Sequence, residues 1–490
     1  MMRLRALVLL TLLPTSLAAQ SDDASRLVAA LLGDTPMTSD LETLTDRIGG
    51  RPTGSEANRR AFDWALGRFK DAGVEARKEP FQMPGLWLER SARATVKGNG
   101  VSFGARVAAL PYSPATSASG LTAPLVDAGR GAEADFAALG ARAQGAFVLV
   151  ETEELVDLDG LFREYKEAGH IERRAIAAGA AGLVYMSSRP GNTLARHNAS
   201  LGWANRHPMM MMERDAAARA LRLLRGGTPL SLTAVLDIRS GPAYTAHNVI
   251  GEIRGSTRPD EIVVIGAHLD SWDLGTGALD NGANSAMVID IARQIVRLGL
   301  RPARTIRFAL WNGEEQNLNG SYGYTLTHAA ELDRHVMASS YDVGTGRISG
   351  YFTGGRADLV PVLERALAPV AGLGPFTPIN IPIVGTDNYD FMMQGVPNLV
   401  ANQESANYGP NYHARSDEFG RVDLRQLRLN AAIAAATTWG FATLDLSLPR
   451  QTAAQVDSMV RNSDLPDQMK SFSVYDAWVA GKRGLRSSSP

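Results

Sequence analysis

The chain reads as an α/β protein: a largely parallel mixed sheet sandwiched by helices, with a β-rich module inserted into it. Three observations predict this. From Asn248 onward, short buried-strand runs alternate with apolar-periodic helices, the pattern of a mostly parallel sheet covered on both faces. Between about 113 and 242 the texture changes: Ala and Gly become dense, and two compact apolar runs flank one helical stretch. The 490 residues suffice for roughly two to three domains with sizeable cores.

The N-terminus carries Arg3 and Arg5, an apolar run from Ala6 to Leu13, small residues at Ser16, Ala18 and Ala19, and then polar Gln20-Ser21-Asp22-Asp23. This is the pattern of a cleaved secretory signal peptide over 1–19, and the apolar run is too short to span a bilayer. Residues 20–112 form the first part of the main domain. Within them 24–75 is helical by the spacing of Leu41, Leu44, Ile48, Phe62, Ala65, Leu66 and Phe69, interrupted at Gly49-Gly50-Arg51-Pro52. From about 77 to 112, Val96, Val101 and Phe103 alternate with polar or small residues, as in short strands. In the inserted module, 113–242, Ala146–Val150 and Gly182–Met186 are buried strands joined by a helix ending near Ala180.

Residues 243–446 return to the main domain. Strands are expected at Glu261–Gly266, Thr305–Trp311, Val336–Tyr341 and Val396–Ala401, and helices at Ser285–Leu298, Asn319–His335 and Leu424–Leu444. Residues 447–490 read as a tail of scattered apolar residues with a mobile tip.

Composition narrows the function. The formal net charge of −1 points to neither nucleic acid nor an acidic membrane surface as partner. There is no cysteine, so disulfides, a lipid anchor on cysteine and a cysteine nucleophile are all excluded. With the signal peptide, this suggests a secreted or periplasmic protein. Neither an H-E-x-x-H helix, nor a G-x-S-x-G elbow, nor a P-loop is present.

The chemistry lies in HLDSWDLGTGALDNGA, WNGEEQ, SSYDVG and PNYHARSD. In open α/β sheets ligands bind at the carboxyl ends of strands. His268, the pair Glu314-Glu315 and Asp342 each follow directly on an expected strand. Carboxylates gathered at one rim repel each other unless cations join them. Two imidazoles and three carboxylates, His268, Asp280, Glu315, Asp342 and His413, would hold two Zn2+ ions with one carboxylate bridging. A zinc pair polarises a carbonyl and acidifies bound water. Glu314 is then a ready general base, because adjacent side chains diverge and only one of the two glutamates faces the metals.

Asp270 lies two residues from His268 on an extended segment, so both side chains share one side; its carboxylate is expected on the second imidazole nitrogen, in a catalytic supporting role. Asp280 opens a helix, where it is either an N-cap or the bridging ligand. His170, His197, His207, His247, His328 and His335 read as structural histidines. The residues thus point to a metal-dependent peptidase.

The runs GAHLDSWDLGTGALDNGANSA and GLRPARTIRFALWNGEEQNLNGSYGY resemble the di-zinc exopeptidases, a family of bacterial aminopeptidases and glutamate carboxypeptidases. The likeness covers roughly 40–445 and is strongest to the plasma glutamate carboxypeptidase branch. ARAQGAFVLVETE and RRAIAAGAAGLVYM resemble the protease-associated domain inserted in that family. The resemblance implies the zinc exopeptidase fold, with 20–112 and 243–446 as its catalytic domain. It places His268 and Asp342 on one zinc and Glu315 and His413 on the other, with Asp280 bridging and Glu314 as base. NYHARSDEF resembles the family's closing His motif, with Asp417 behind it.

Two departures stand out. Gly385-Thr386-Asp387-Asn388 replaces the Ser-Asp-His of many members, which leaves the substrate-stabilising group unassigned, with Tyr389 nearby. Asn281 replaces an Asp. The implied activity is hydrolysis of short peptides as aminopeptidase, carboxypeptidase or dipeptidase. Alternatives are action on another amide, such as an N-acyl amino acid or a glutamine cyclisation, and a non-catalytic binding protein on the same scaffold. Retention of all five ligands and the base favours the enzyme. Trp272 would shape the pocket or pack, and Arg415 is the nearest candidate for a substrate carboxylate. Since no ligand candidate falls within 113–242, the module is expected to supply a pocket wall or a homodimer contact.

Overall fold

The computed structural model describes residues 15–196 and 201–487. The signal peptide expected over 1–19 lies outside them except for the backbone of 15–19, and His197 lies outside them entirely.

The expected parallel sheet forms the centre of the molecule. In spatial order its strands are Glu75–Met83, Tyr244–Ile253, Arg304–Trp311, Arg258–His268, His335–Ser340, Asn398–Gln403, Ile348–Phe352 and Thr377–Ile379. The middle four run parallel, and the strands beside them are antiparallel to them. His268 pairs with Trp311 and Gly266 with Ser340, so three neighbouring strands end at one level. The strand Arg304–Trp311 is buried along its whole length. A parallel strand covered on both faces has no solvent side, so its carboxyl half, Phe308–Trp311, is apolar throughout in place of alternating.

One face is covered by the helices Ala283–Arg297 and Leu424–Thr443, joined by Thr15–Leu32. Leu27, Leu31, Ile289, Ile295, Phe308, Ala431 and Ala435 meet in that core. The many alanines of Leu424–Thr443 fit it between its neighbours, because small side chains let backbones approach. On the other face, Ile250, Val264, Ala309 and Trp311 pack against Tyr324 and Phe391. The helix expected over 319–335 is split: Asn319–Thr327 is α-helical, Ala329–Arg334 winds into a tighter turn, and His335 already starts the next strand. The short strands Ile348–Phe352 and Thr377–Ile379 were not foreseen; they lie at the sheet's edge, where few residues carry the pattern.

A second sheet runs in the order Val101–Ala105, Leu86–Gly98, Leu230–Gly241, Leu121–Asp127, Phe147–Val150, Gly182–Met186, Met209–Met212 and Val107–Ala109. This moves the boundary expected at 113. The strands within 86–109, assigned from sequence to the main domain, belong to this sheet, because Leu86–Gly98 pairs antiparallel with Leu230–Gly241 along its length. Short alternating strands look alike in either sheet, and a partner over a hundred residues away leaves no local mark.

The tail also differs from expectation. Its described residues are folded: the helices Ala453–Arg461, Leu465–Ser471 and Tyr475–Val479 pack Val456, Val460, Leu465, Met469 and Trp478 against Leu318, Tyr389, Met392 and Met393. Arg483, expected in the mobile tip, is 6% exposed. It donates twice to the Asp390 carboxylate, at 2.8 and 2.8 Å, and to the carbonyls of Asn317 and Leu318 at 3.0 and 3.1 Å. Asn317 and Leu318 take left-handed φ values of 80° and 58°, a conformation that non-glycine residues keep only where the surroundings hold it. The tail therefore fixes the loop that carries Glu314 and Glu315.

Removing one partner of a buried ion pair strands the other. Arg483→Ala should lower unfolding stability by about 3–5 kcal/mol in urea titrations. The double variant Arg483→Met, Asp390→Leu should recover a large part of that loss. Equal stability of Arg483→Ala and the parent protein would show that the tail is not part of the cooperative fold.

Candidate metal centre

Three parallel strand ends deliver the first groups. His268 is the last residue of its strand, Glu314 and Glu315 follow the strand ending at Trp311, and Asp342 follows the strand ending at Ser340. Asp280 comes from the turn before the helix Ala283–Arg297, and His413 from the segment after the short helix Tyr408–Asn411. His268, Asp280, Glu315, Asp342 and His413 are all buried.

Asp280 spans two clusters. Its Oδ1 lies 3.2 Å from His268 Nε2, and its Oδ2 lies 3.3 Å from His413 Nε2. On one side His268 Nε2 also meets Asp342 Oδ1 at 2.9 Å, with Glu314 Oε2 at 3.9 Å. On the other, His413 Nε2 lies 2.9 Å from Glu315 Oε2. The structure thus brings all five expected ligand residues and Glu314 together, as two His–carboxylate groups sharing one aspartate.

The other imidazole nitrogens settle the tautomers. His268 Nδ1 lies 3.0 Å from the Asp270 carbonyl, and His413 Nδ1 lies 3.2 Å from the Arg196 carbonyl. A carbonyl only accepts, so each Nδ1 carries the hydrogen and each Nε2 is presented to the carboxylate cluster. This is the arrangement of a histidine that ligates through Nε2.

Asp270 departs from expectation. Its Oδ1 is 3.7 Å from His268 Nδ1, beyond hydrogen-bond reach, and its backbone carbonyl makes the contact instead. The same-side rule holds only within the strand, which ends at His268. The Asp270 carboxylate accepts from Thr53 Oγ1 at 2.9 Å and from the Glu314 backbone N–H at 3.3 Å. It positions the loop that carries Glu314.

Asp280 is not an N-cap, since the helix starts after Gly282. Its backbone is held by Asp417, whose carboxylate accepts from Leu279 N at 2.6 Å and Asp280 N at 3.1 Å. Arg51, which the sequence showed only as part of a helix break, is fully buried. It donates to the carbonyls of Leu269, Thr276 and Gly277 at 2.5, 2.7 and 2.9 Å, tying the His268 strand end to the loop that leads to Asp280. Nothing in Gly-Gly-Arg-Pro signals that burial. Trp272 packs at the centre: its backbone N–H donates to Glu315 Oε1 at 3.2 Å, and its ring meets His413 edge-on at 6.2 Å. In the segment that departs from the family pattern, Thr386 hydrogen-bonds Asp342, and Asp387 is buried in the field of His268 and Asp342. Tyr389 is buried under the Arg483 guanidinium, and Arg415 is exposed. His328 and His335 bond to Glu79 and Tyr324, away from the centre.

The electrostatics require compensation. Burial lifts Glu314 well above the carboxylate range, reinforced by Asp342, Asp387 and Glu315. Burial likewise raises Glu315 to about 7, with His413 opposing and Asp280 adding to the rise. Burial alone would lower both imidazoles. Asp342 and Glu314 outweigh it at His268, and Glu315 and Asp280 raise His413 to about 9. With His413 Nε2 free of hydrogen, Asp280 Oδ2 and Glu315 Oε2 are buried and accept no hydrogen bond. Unpaired buried acceptors are costly. Two convergent oxygens without donors, facing imidazole nitrogens, are what a metal site presents, so the residues fit divalent cations.

Comparison with known proteins agrees with this geometry. Residues 248–438 match Peptidase family M28. The chain is 28% identical over 423 residues to carboxypeptidase Q of Bos taurus, covering 84% of this chain and 86% of the relative. It is 25% identical to the probable lipoprotein aminopeptidase LpqL of Mycobacterium tuberculosis, covering 84% of each. The crystal structure of a peptidase M28 precursor from Shewanella amazonensis superposes with a TM-score of 0.78 at 27% identity, covering 89% of this chain and 99% of that one. The zinc aminopeptidase BSAP of Bacillus subtilis shares the fold, with a TM-score of 0.65 at 20% identity over 84% of this chain and 96% of its own. Over residues 248–438 the chain is similar to Peptidase family M28, and it is a metallopeptidase.

Proposed function

We propose that the protein is a secreted or periplasmic di-zinc exopeptidase that hydrolyses short peptides. The observation that carries this reading is Asp280, whose two oxygens reach His268 on one side and His413 on the other. His268 and Asp342 would hold one zinc, Glu315 and His413 the second, and Asp280 both. Zinc bound there supplies carbonyl polarisation and water of lowered pKa. The carboxypeptidase and aminopeptidase names of the relatives, and the zinc aminopeptidase among the structural neighbours, support the same class.

Glu314 is the group left to move protons. It is more exposed than its neighbour Glu315, and its carboxylate stands beside the His268 cluster. It takes a proton from the attacking water and returns it to the departing amine. Asp270 holds its backbone and is a positioning residue. The second sheet, now bounded by about 86 and 241, is proposed as the protease-associated domain, and it walls the site through the segment next to His413. Among the described residues no helix is long and apolar enough to cross a membrane.

The purified protein should contain about two zinc ions per chain, lose activity on dialysis against a strong chelator, and regain it with zinc. Full turnover by metal-free protein would contradict the proposal. A panel of free and terminally blocked dipeptides and tripeptides then identifies which terminus is required.

The two adjacent glutamates should separate cleanly. Glu314→Gln should keep its zinc and lose on the order of 10²–10⁴ in kcat, as for removal of a general base. Glu315→Gln should weaken one of the two zincs, because it replaces a charged ligand with a neutral one. Metal analysis of both variants beside turnover decides it, and the opposite pattern would exchange the two roles.

A further inference from the structure

We propose that residues 187–196 of the second sheet's module form a clamp that positions His413, and so sustain specifically the metal held by Glu315 and His413. This rests on the two-metal reading above.

His413 adopts a left-handed backbone conformation, φ 54°, unusual for a residue with a side chain. Such a conformation persists where neighbours over-determine it. Beside the local bond from Ala414 N to the Asn411 carbonyl at 3.0 Å and the stacking of the His413 ring on Tyr412 at 3.6 Å, those neighbours come from one distant segment. Arg196 N donates to the His413 carbonyl at 2.9 Å, and the Arg196 carbonyl accepts from His413 Nδ1 at 3.2 Å. The Leu194 carbonyl accepts from Arg415 N at 2.9 Å, completing a short antiparallel bridge between Ala195 and Ala414. Arg189 Nε donates to the Tyr412 carbonyl at 3.0 Å. Peptide groups on both sides of His413, and its ring, are thus set by this segment.

The clamp is itself anchored by buried charge. The side chains of Arg189 and Arg196 are each only 1% exposed. Arg189 is matched by Glu164 at 3.0 Å. Arg196 is matched by Asp273 of the site loop at 2.7 Å and by Glu89 of the second sheet at 3.0 Å. The Arg196 guanidinium also lies over the Trp272 ring at 5.9 Å, and Trp272 touches both Glu315 and His413. One guanidinium therefore braces both ligands of one metal. The side-chain contacts of His268 and Asp342 run instead to each other and to Asp270, Asp280, Glu314 and Thr386. The module contributes no ligand, yet it sets the tautomer and direction of one.

Loss of an outer partner of a metal-ligating histidine weakens metal binding by roughly 10–100-fold. The test is zinc titration of the full chain against a chromophoric chelator, with thermal melts to confirm folding. The parent protein should show two bound zincs; fewer would overturn the two-metal reading itself and not the clamp. Arg189→Met and Arg196→Met should weaken one zinc by about 10–100-fold and leave the other unchanged. Arg196→Lys should partly restore it. Asp273→Asn, which leaves the arginine in place, should give a smaller loss of the same zinc and serves if Arg196→Met does not fold. Adding Arg196→Met to Glu315→Gln should leave the remaining zinc unaffected. Arg225→Met, in an exposed ion pair of the same module with Asp127 and Glu151, should bind both zincs as the parent does. Folded clamp variants that keep both affinities, or weaken both alike, would overturn the proposal.

Discussion

The buried negative charge at the carboxyl ends of three parallel strands is the constraint on which the rest of this structure depends. Asp280, Glu315 and Asp342, with Glu314 beside them, face two imidazoles where water is largely excluded. Ionised carboxylates in such a place must be paired, neutralised or bound to metal. The upward pressure on Glu314 and Glu315, the upward pull on both histidines and the unsatisfied oxygens of Asp280 and Glu315 are expressions of one imbalance. Divalent cations would resolve it, and the same cations would supply the chemistry of a metallopeptidase.

Holding such a cluster in place takes rigid support, and it comes from every part of the chain. Arg51, from between two N-terminal helices, stitches the His268 strand end to the loop before Asp280. Asp417 holds the Asp280 backbone. Arg483, near the C-terminus, secures the loop after Glu315. Arg189 and Arg196 of the second sheet bind the segment of His413. Four buried arginines thus use their fixed, multiply donating geometry to bind backbone carbonyls or matched carboxylates around the acidic centre.

What was legible in the sequence follows from what is local. The strands ending at His268 and Trp311 and the helix after Asp280 carry their own periodicity, so both the elements and the rim they form could be read in advance. The clustering of His268, Asp280, Glu315, Asp342 and His413 was legible because histidines and carboxylates at strand ends are chemically distinctive. The second sheet's true start was not, since Leu86–Gly98 declares its partner only through pairing with Leu230–Gly241. Arg51, Arg196 and Arg483 were equally hidden. A surface arginine and a buried one are the same letter, and only the fold shows which carbonyls surround it. Asp270 shows the opposite case: a rule valid inside a strand fails two residues past its end.

The central claim is that Asp280 joins two metal positions. Anomalous diffraction from crystals of the zinc-loaded protein, collected on both sides of the zinc edge, tests it most directly. Two peaks roughly 3.5–4 Å apart are predicted, one beside His268 and Asp342, the other beside Glu315 and His413, with Asp280 between them. A single peak in fully loaded protein, or two peaks that do not share Asp280, would contradict the account.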